Sequence, residues 1–280
     1  MTTDTSPAGA PTAPPTGRGP VGGDRARSAL AGAGGLLGLL AIWWLAAVTV
    51  FADKLVPTPP GVVARWVEDG PDFYLGNFAA TVEEAARGFV WGNALALLLA
   101  SLVLLAPWAE RVITQVAIIS YCIPLVAITP ILYIVIGPPP AGEPSGTAVA
   151  LAAISVFFTT VVGAVLGFRS ADAASLDLVS VYGGGRWKQL RLVQLVAALP
   201  AILSALQIAA PAAFLGAILG EYIGGVDRGV GPALINAQQS LDDERAWGMM
   251  IVCGLVAGAG YAVFGLLGRL VTPWSRGTTA

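Results

Sequence analysis

The sequence predicts an all-α, polytopic membrane helical bundle with six transmembrane helices. Two observations carry this. Hydrophobic side chains make up 56% of the 280 residues and charged ones only 11%, where an ordinary soluble domain has roughly a quarter charged. The charges are also clustered, leaving uncharged runs long enough to cross roughly 30 Å of hydrocarbon at about 1.5 Å per residue.

The runs fall in order along the chain. Residues 1–27 form a cytoplasmic N-terminal tail expected to be disordered, because the Pro, Gly, Thr and Ala of Pro7 to Gly23 offer too little apolar surface to offset ordering. A transmembrane domain then occupies 28–280. Its first span covers about 28–52, with Leu36, Leu37, Leu39, Leu40, Ile42 and Leu45. A cleaved signal peptide would have a shorter apolar core and a small-x-small site, whereas this run is longer and ends in Val50 and Phe51. Further spans are expected at about 88–109, 112–136, 147–168, 192–220 and 246–268. The third is followed by a Gly137, Pro138, Pro139, Pro140 turn, and the fifth contains Pro200 and Pro211.

Several chemistries are excluded or disfavoured by composition. There is no histidine, which removes imidazole-based acid/base catalysis and most zinc or copper sites. Cys122 and Cys253 sit in apolar runs and read as small core residues rather than a disulfide or metal pair. The lysines are Lys54 and Lys188, neither in a G-x-x-x-x-G-K-[ST] context, so the chain has no P-loop. No catalytic residue, metal site or cofactor is expected, and the net charge of −2 offers no general attraction to nucleic acid.

Orientation follows from the basic residues, which are preferentially retained in the cytoplasm. With the N-terminus inside, Arg18, Arg25, Arg27, Arg111, Arg169, Arg186, Lys188, Arg191, Arg269 and Arg276 lie on the cytoplasmic side, so both termini are expected there. The segment 169–191 is then a cytoplasmic loop, long for a helix connection. Asp172 or Ser170 can cap a helix whose apolar positions Leu176, Val179 and Tyr182 recur at helical spacing, and Gly183 to Gly185 can end it in a left-handed turn. A second amphipathic piece carries Trp187, Leu190 and Leu192 against Arg186, Lys188 and Arg191. Two readings are open: an interfacial helix resting on headgroups, or a docking helix that fits a groove on a partner protein.

Within the spans, Pro124 and Pro130 remove backbone donors and break the helix ladder, which lipid tolerates only where other helices or water satisfy the freed carbonyls. Span three is therefore expected to face the subunit interior, with Ser120, Tyr121, Thr129 and Tyr133 lining a passage or merely packing. Glu221 ends span five, either as part of a gate or as a solvated helix end, and Gln207 either bonds across helices or faces solute. Gly216 with Gly220 and Gly224, Gly88 with Gly92, Gly163 with Gly167, and Gly254 with Gly258 would let helices approach closely. No Asp, Glu, Lys or Arg is expected to be buried within a span.

The loop at 169–191 resembles the coupling region of permease subunits of ATP-binding-cassette importers, whose motif is E-A-A, three residues, G, then nine residues to I-x-L-P. The matching positions are Asp177, Leu178, Val179, then Gly183, then Val193, Leu195 and Val196, with Leu199 and Pro200 beyond. Asp replaces Glu, larger apolar residues replace the alanines, and Val196 stands at the first proline. Three other blocks are similar to the nitrate, sulfonate and taurine branch. They are Val56 to Val62, Ile123 to Leu132, and Ala217 to Tyr222 followed by Gly229-Val230-Gly231 and Ala237-Gln238-Gln239.

The resemblance implies a type I importer permease architecture in the bacterial inner (cytoplasmic) membrane. It implies a cytoplasmic ATPase subunit, an extracytoplasmic solute-binding protein, and a second permease subunit, most simply a homodimer. ATPase coupling is implied for Asp172, Leu176, Asp177, Leu178, Val179, Tyr182, Gly183, Arg186 and Trp187. Pro124, Thr129, Pro130, Gln207 and Glu221 are the candidates for the path or gate. The competing classes are an ion-gradient-driven secondary carrier and a membrane-embedded enzyme, the latter disfavoured by the lack of paired carboxylates or a Ser/Lys dyad within the spans.

Overall fold

A computed structural model describes residues 21–51 and 56–274. It divides into two compact units, residues 1–59 and 60–280. In the first, α1 runs Val21–Thr49, so helix begins inside the segment read as a tail. The Trp43 indole N–H donates to the Pro57 carbonyl at 3.1 Å. The rest of the expected tail, residue 52 at the end of the expected first span, Asp53 and Lys54 after it, and Arg276 lie outside the described residues.

The second unit opens with α2, Pro59–Leu105, started by two prolines whose fixed φ suits a first turn. Gly70 interrupts it with φ 73° just before Pro71. The expected span at 88–109 is only its second half. The charged residues before it continue the helix, because Thr81, Glu84, Ala85, Gly88 and Gly92 recur on one buried face while Glu83 and Arg87 pair outside at 2.6 Å. The helix stops at Leu105, two residues before Pro107, where a single 3₁₀ turn, Pro107–Ala109, leads on.

Span three is two helices, α3 Glu110–Cys122 and α4 Leu125–Ile136, meeting at 98°. Pro124 forces the break: it has no N–H to donate, and Ile123 before it is extended at ψ 124°. Then come α5 Gly146–Arg169, α6 Ala173–Val181, α7 Arg186–Gln189, a wide π turn Leu190–Gln194, and α8 Leu195–Glu221, which runs on past Pro200 and Pro211. A helix the hydropathy pattern did not announce, α9 Val230–Gln239, precedes α10 Asp243–Val271, whose N-cap Asp242 accepts from Arg245 N–H at 3.1 Å. Five helices, or six if the bent pair is one span, are long and apolar enough to cross a membrane among the described residues.

The bundle is built around α5. A Cβ at Gly88 or Gly92 of α2 would come within 2.4 Å of Ala152 Cβ or the Ala153 carbonyl. One at Gly220 of α8 would lie 2.3 Å from Ala148 Cα, and α5's own Gly163 and Gly167 stand against Ala205 and Ala201 of α8. Backbones therefore touch where side chains would hold them apart, the packing that lipid favours because it offers no hydrophobic drive between helices. Gly254 and Gly258 of α10 have nothing within 4 Å, so that expected pair makes no close approach. Cys122 is exposed at the bend rather than in the core, while Cys253 is half-buried.

Where α2 begins, its first turns are tied to α10 by charge. Arg245 grips Asp69 through Nε at 3.0 Å and Nη2 at 2.5 Å, and Arg65 pairs with Asp242. The Asp69 side chain is only 3% exposed, so its bonds to Arg245 and, at 3.4 Å, from the Tyr74 hydroxyl are what make its burial tolerable.

The glycine contacts decide the sign of a simple pair of substitutions. Gly220→Ala gains about 1 kcal/mol of helix propensity but drives a methyl into the α5 backbone, which costs about 1–3 kcal/mol or more, so thermal unfolding in detergent should show a less stable protein. Gly254→Ala meets open space and should be neutral or stabilising by up to about 1 kcal/mol. Equal effects at the two positions would contradict the close packing.

Candidate functional site

The loop after α5 is ordered at both ends by local chemistry. Asp172 caps α6: its carboxylate accepts the Ser175 N–H at 3.0 Å and the Ser175 hydroxyl at 3.0 Å. These bonds, the backbone one foremost, hold the Asp172 carboxyl below the usual carboxylate range. At the other end Gly184 N–H donates to Val179 O at 2.8 Å and Gly183 N–H to Ser180 O at 2.9 Å, the paired bonds of a left-handed helix stop. Gly183 sits at φ 76°, and a Cβ on Gly184 would strike Val179, so both glycines have a physical reason to be there.

No residue of α6 is buried. Leu178, Val181 and Tyr182 are exposed at 57, 82 and 82%, and Trp187 at 62%, an apolar cluster standing clear of the bundle. Asp177 and Arg186 are exposed beside it, and Leu176 and Val179 are partly covered. The Gln189 amide reaches back to Leu176 O at 3.1 Å and Ser180 Oγ at 2.8 Å, fixing α6 against α7. Leu190 then buries its side chain with Ala100, Ala164, Phe168 and Ala198, and the Arg186 guanidinium donates to Leu105 O at 3.4 Å. The proposed coupling residues thus form one surface, pinned to the bundle at Leu190.

The path candidates are not brought together. Pro124 and Pro130 are exposed, as are Val126, Ile131 and Ile134, and only Thr129 of α4 is buried. The expectation that span three faces the subunit interior is therefore corrected for α4, while α3 buries Ile113 and Ala117. The 98° break turns α4 aside, so its apolar outer face is left uncovered, while the Thr129 hydroxyl donates to Leu125 O at 2.7 Å. Gln207 lies against Gly265 in a cleft of about 260 Å³ between α8 and α10, lined also by Ser204 and Arg269.

Glu221 is 2% exposed and is not a solvated helix end. Its Oε2 accepts the Gly231 N–H at 2.6 Å, and Cβ atoms at Gly229 or Gly231 would collide with its side chain. Beside it stands Glu84, also 2% exposed, whose Oε1 accepts the Ser145 N–H at 2.6 Å. Two carboxyl groups are thus buried in α2 and α8, just beyond the expected spans 88–109 and 192–220. Glu84, Thr81 and Asn77 were overlooked in the sequence, although their i, i+4, i+7 spacing marks one face of a helix. Thr81 Oγ1 accepts the Val230 N–H at 2.9 Å and Asn77 Oδ1 the Gly229 N–H at 3.2 Å. A cavity of about 650 Å³, lined by Glu83, Glu84, Glu143, Asp227 and Arg228 among others, opens beside this corner. Among the described residues no group of His, Cys, Asp and Glu is placed to hold a metal ion.

Residues 92–277 match the family described as the binding-protein-dependent transport system inner membrane component. The chain belongs to that family. The permease is 29% identical over 240 residues to the riboflavin transport system permease protein RibX of Chloroflexus aurantiacus, covering 84% of this chain and 87% of that one. It is 25% identical over 240 residues to SsuC of Bacillus subtilis, named for aliphatic sulfonates transport, covering 84% of each. The permease also superposes on the crystal structure of an amino acid ABC transporter with histidines at a TM-score of 0.56 and 16% identity, covering 74% of this chain and 96% of that one. It is a multi-pass membrane protein of the ABC importer permease family.

Asp172 gives this surface a checkable pH response. Its folded carboxyl titrates below the ordinary range, so the cap is fully present above that range and is lost as pH falls through the lower folded value. Protection of the Ser175 amide from hydrogen exchange should drop on that acidification in the wild type. Asp172→Asn, which still caps, should keep it.

Proposed function

We propose that this permease forms, with a second copy of itself, the translocation path for a small organic solute, and that a separate cytoplasmic ATPase drives it through α6. The observation that carries the reading is the α6 surface: a short helix capped at both ends, with Leu178, Val181, Tyr182 and Trp187 exposed beyond the bundle. An exposed apolar helix face of this kind suits a groove on a partner protein. The chain has no P-loop sequence of its own, so the energy must come through such a contact. Asp172, Leu176, Asp177, Leu178, Val179, Tyr182, Gly183, Arg186 and Trp187 make up the contact and its supports.

In this reading both termini and α6 are cytoplasmic, as the arginine and lysine distribution favours, in the inner membrane of a bacterium. An extracytoplasmic solute-binding protein delivers the solute to the α9 end of the bundle. The protein is a transporter rather than an enzyme. RibX and SsuC are named for riboflavin and for aliphatic sulfonates, which supports a small organic molecule or a nitrate-, sulfonate- or taurine-like anion as the solute. The exposed apolar face of α4 supports burial against a second copy, where Pro124 and Pro130 would flank the path.

The test is uptake into vesicles holding the permease, its ATPase and its binding protein. Gly183→Arg places a side chain at φ 76° and a bulky charge on the docking face. ATP-driven uptake should fall at least about tenfold, the equivalent of about 1.4 kcal/mol, with membrane insertion unchanged. Normal uptake in that variant, or uptake by the permease alone without an ATPase, would sink the assignment.

A further inference from the structure

Three elements meet where α8 ends, and two carboxyl groups join them. Glu84 takes the Ser145 N–H at the start of α5, and Glu221 takes the Gly231 N–H in the first turn of α9. That accounts for one oxygen of each. The other two, Glu84 Oε2 and Glu221 Oε1, are buried with no hydrogen bond made to them; the Thr81 hydroxyl beside Glu221 donates to Asn77 O at 3.2 Å, and the two carboxyls are near enough to act on each other. Two ionised carboxylates side by side in a buried site repel and leave both oxygens unsatisfied, whereas one proton between them removes one charge and supplies a donor.

The charges around the pair do not change this. Arg87 and Glu83, flanking Glu84 on α2, are exposed and satisfy each other at 2.6 Å. Glu143, Asp227 and Arg228 line the adjoining cavity on the α4–α5 and α8–α9 connections. Cys253 of α10 is the remaining titratable group that acts on Glu221, and it brings no positive charge. The α9 helix itself, Val230–Gln239, has no titratable side chain. Glu221 is further held by a cradle with no Cβ, since one on Gly229 or Gly231 would occupy its place.

We propose that one proton shared between Glu84 and Glu221 latches α2, α5, α8 and α9 together at this end of the permease, and that losing it at alkaline pH releases the α9 segment. The latch does not depend on the identity of the solute or of the ATPase. Two negative charges in place of one would weaken the hold on Gly231, and with it the adjoining bonds of Val230 to Thr81 and Gly229 to Asn77. The permease would then be more readily opened at its α9 end as pH rises.

The full-length protein in lipid nanodiscs tests this by thermal unfolding at mildly acidic and mildly alkaline pH, with amide exchange read at residues 229–231. Wild type should lose about 5 °C in Tm on alkalinisation and about tenfold of its exchange protection at those amides beyond the intrinsic pH effect. Glu84→Gln supplies a permanent donor to Glu221 and should flatten both profiles. Glu83→Gln, altering the exposed neighbour, should behave as wild type. Infrared spectra should show a protonated-carboxyl stretch in wild type that disappears in Glu84→Gln and titrates away at alkaline pH. If Glu84→Gln does not fold, Glu221→Gln and the wild-type infrared titration decide in its place. Wild-type and Glu84→Gln profiles of equal slope, no protonated-carboxyl band, or stability that follows sodium or potassium concentration at fixed pH would overturn the shared proton.

Discussion

The architecture depends on how closely other helices approach α5. Water drives helices together in a soluble protein, but lipid is as apolar as the side chains themselves, so association relies on van der Waals fit. The fit here is backbone on backbone: Gly88 and Gly92 of α2 against Ala152 and Ala153 on one side, Gly216 and Gly220 of α8 against Leu151, Ala152 and Ala148 on another. Small residues on both partners allow the approach, and Ser155 adds a cross-helix bond to Ala212 O at 2.8 Å. With α5 gripped along its length, α8 is held beside it as a continuous rod of 27 residues, roughly 40 Å long. The rod connects the α6 surface at one end to the Glu221 corner at the other.

The same face of α2 does different work along its length. Toward its C-terminal half the inward positions are Gly88, Gly92 and Ala96, which pack. One to three turns earlier they are Asn77, Thr81 and Glu84, which accept hydrogen bonds from Gly229, Val230 and Ser145. The opening amides of α9 have no intrahelical acceptors, and the polar half of α2 together with Glu221 supplies them. A ten-residue helix that would be marginal alone is thereby held in place by side chains from two longer ones. The arrangement also explains why carboxyl groups persist in a largely apolar bundle, since each satisfies a backbone donor that would otherwise be buried without a partner.

Much of this was legible in the sequence where a single physical rule dominated. Long uncharged runs gave the apolar helices, and the Asp172 and Gly183 signals gave both ends of α6, since capping and left-handed turns are local chemistry. Gly88, Gly92, Gly216 and Gly220 were read correctly as approach points, but Gly254 and Gly258 carry the same spacing and touch nothing. Spacing says where a close contact is possible, and only the partner surface says whether it occurs. The charged half of α2 was hidden because Glu83, Glu84 and Arg87 resemble a solvated segment. Helical rotation separates them, sending Glu83 and Arg87 outward and Glu84 inward. Pro124 announced a break but not its angle, so the inward placement of span three holds for α3, which buries Ile113 and Ala117, but not for α4, which a bend of 98° leaves exposed.

The join between loop and bundle has a further consequence. Between α7 and α8 the chain passes through a wide π turn at Leu190–Gln194 without leaving the helical path, and such turns are commonly sites of local give. On one side of it Gln189 locks α7 to α6 through Leu176 O and Ser180 Oγ. On the other, α8 is seated on Gly163 and Gly167 of α5. Two braced pieces therefore meet at one short π-helical segment. A displacement imposed on α6 has two routes into the bundle: the Arg186 bond to Leu105 O, which is long and exposed, and the chain itself through Leu190, which is buried. The second is the stiffer because a packed side chain resists displacement more than a surface hydrogen bond does. A force applied at α6 would accordingly be directed along α8, the helix whose far end carries Glu221.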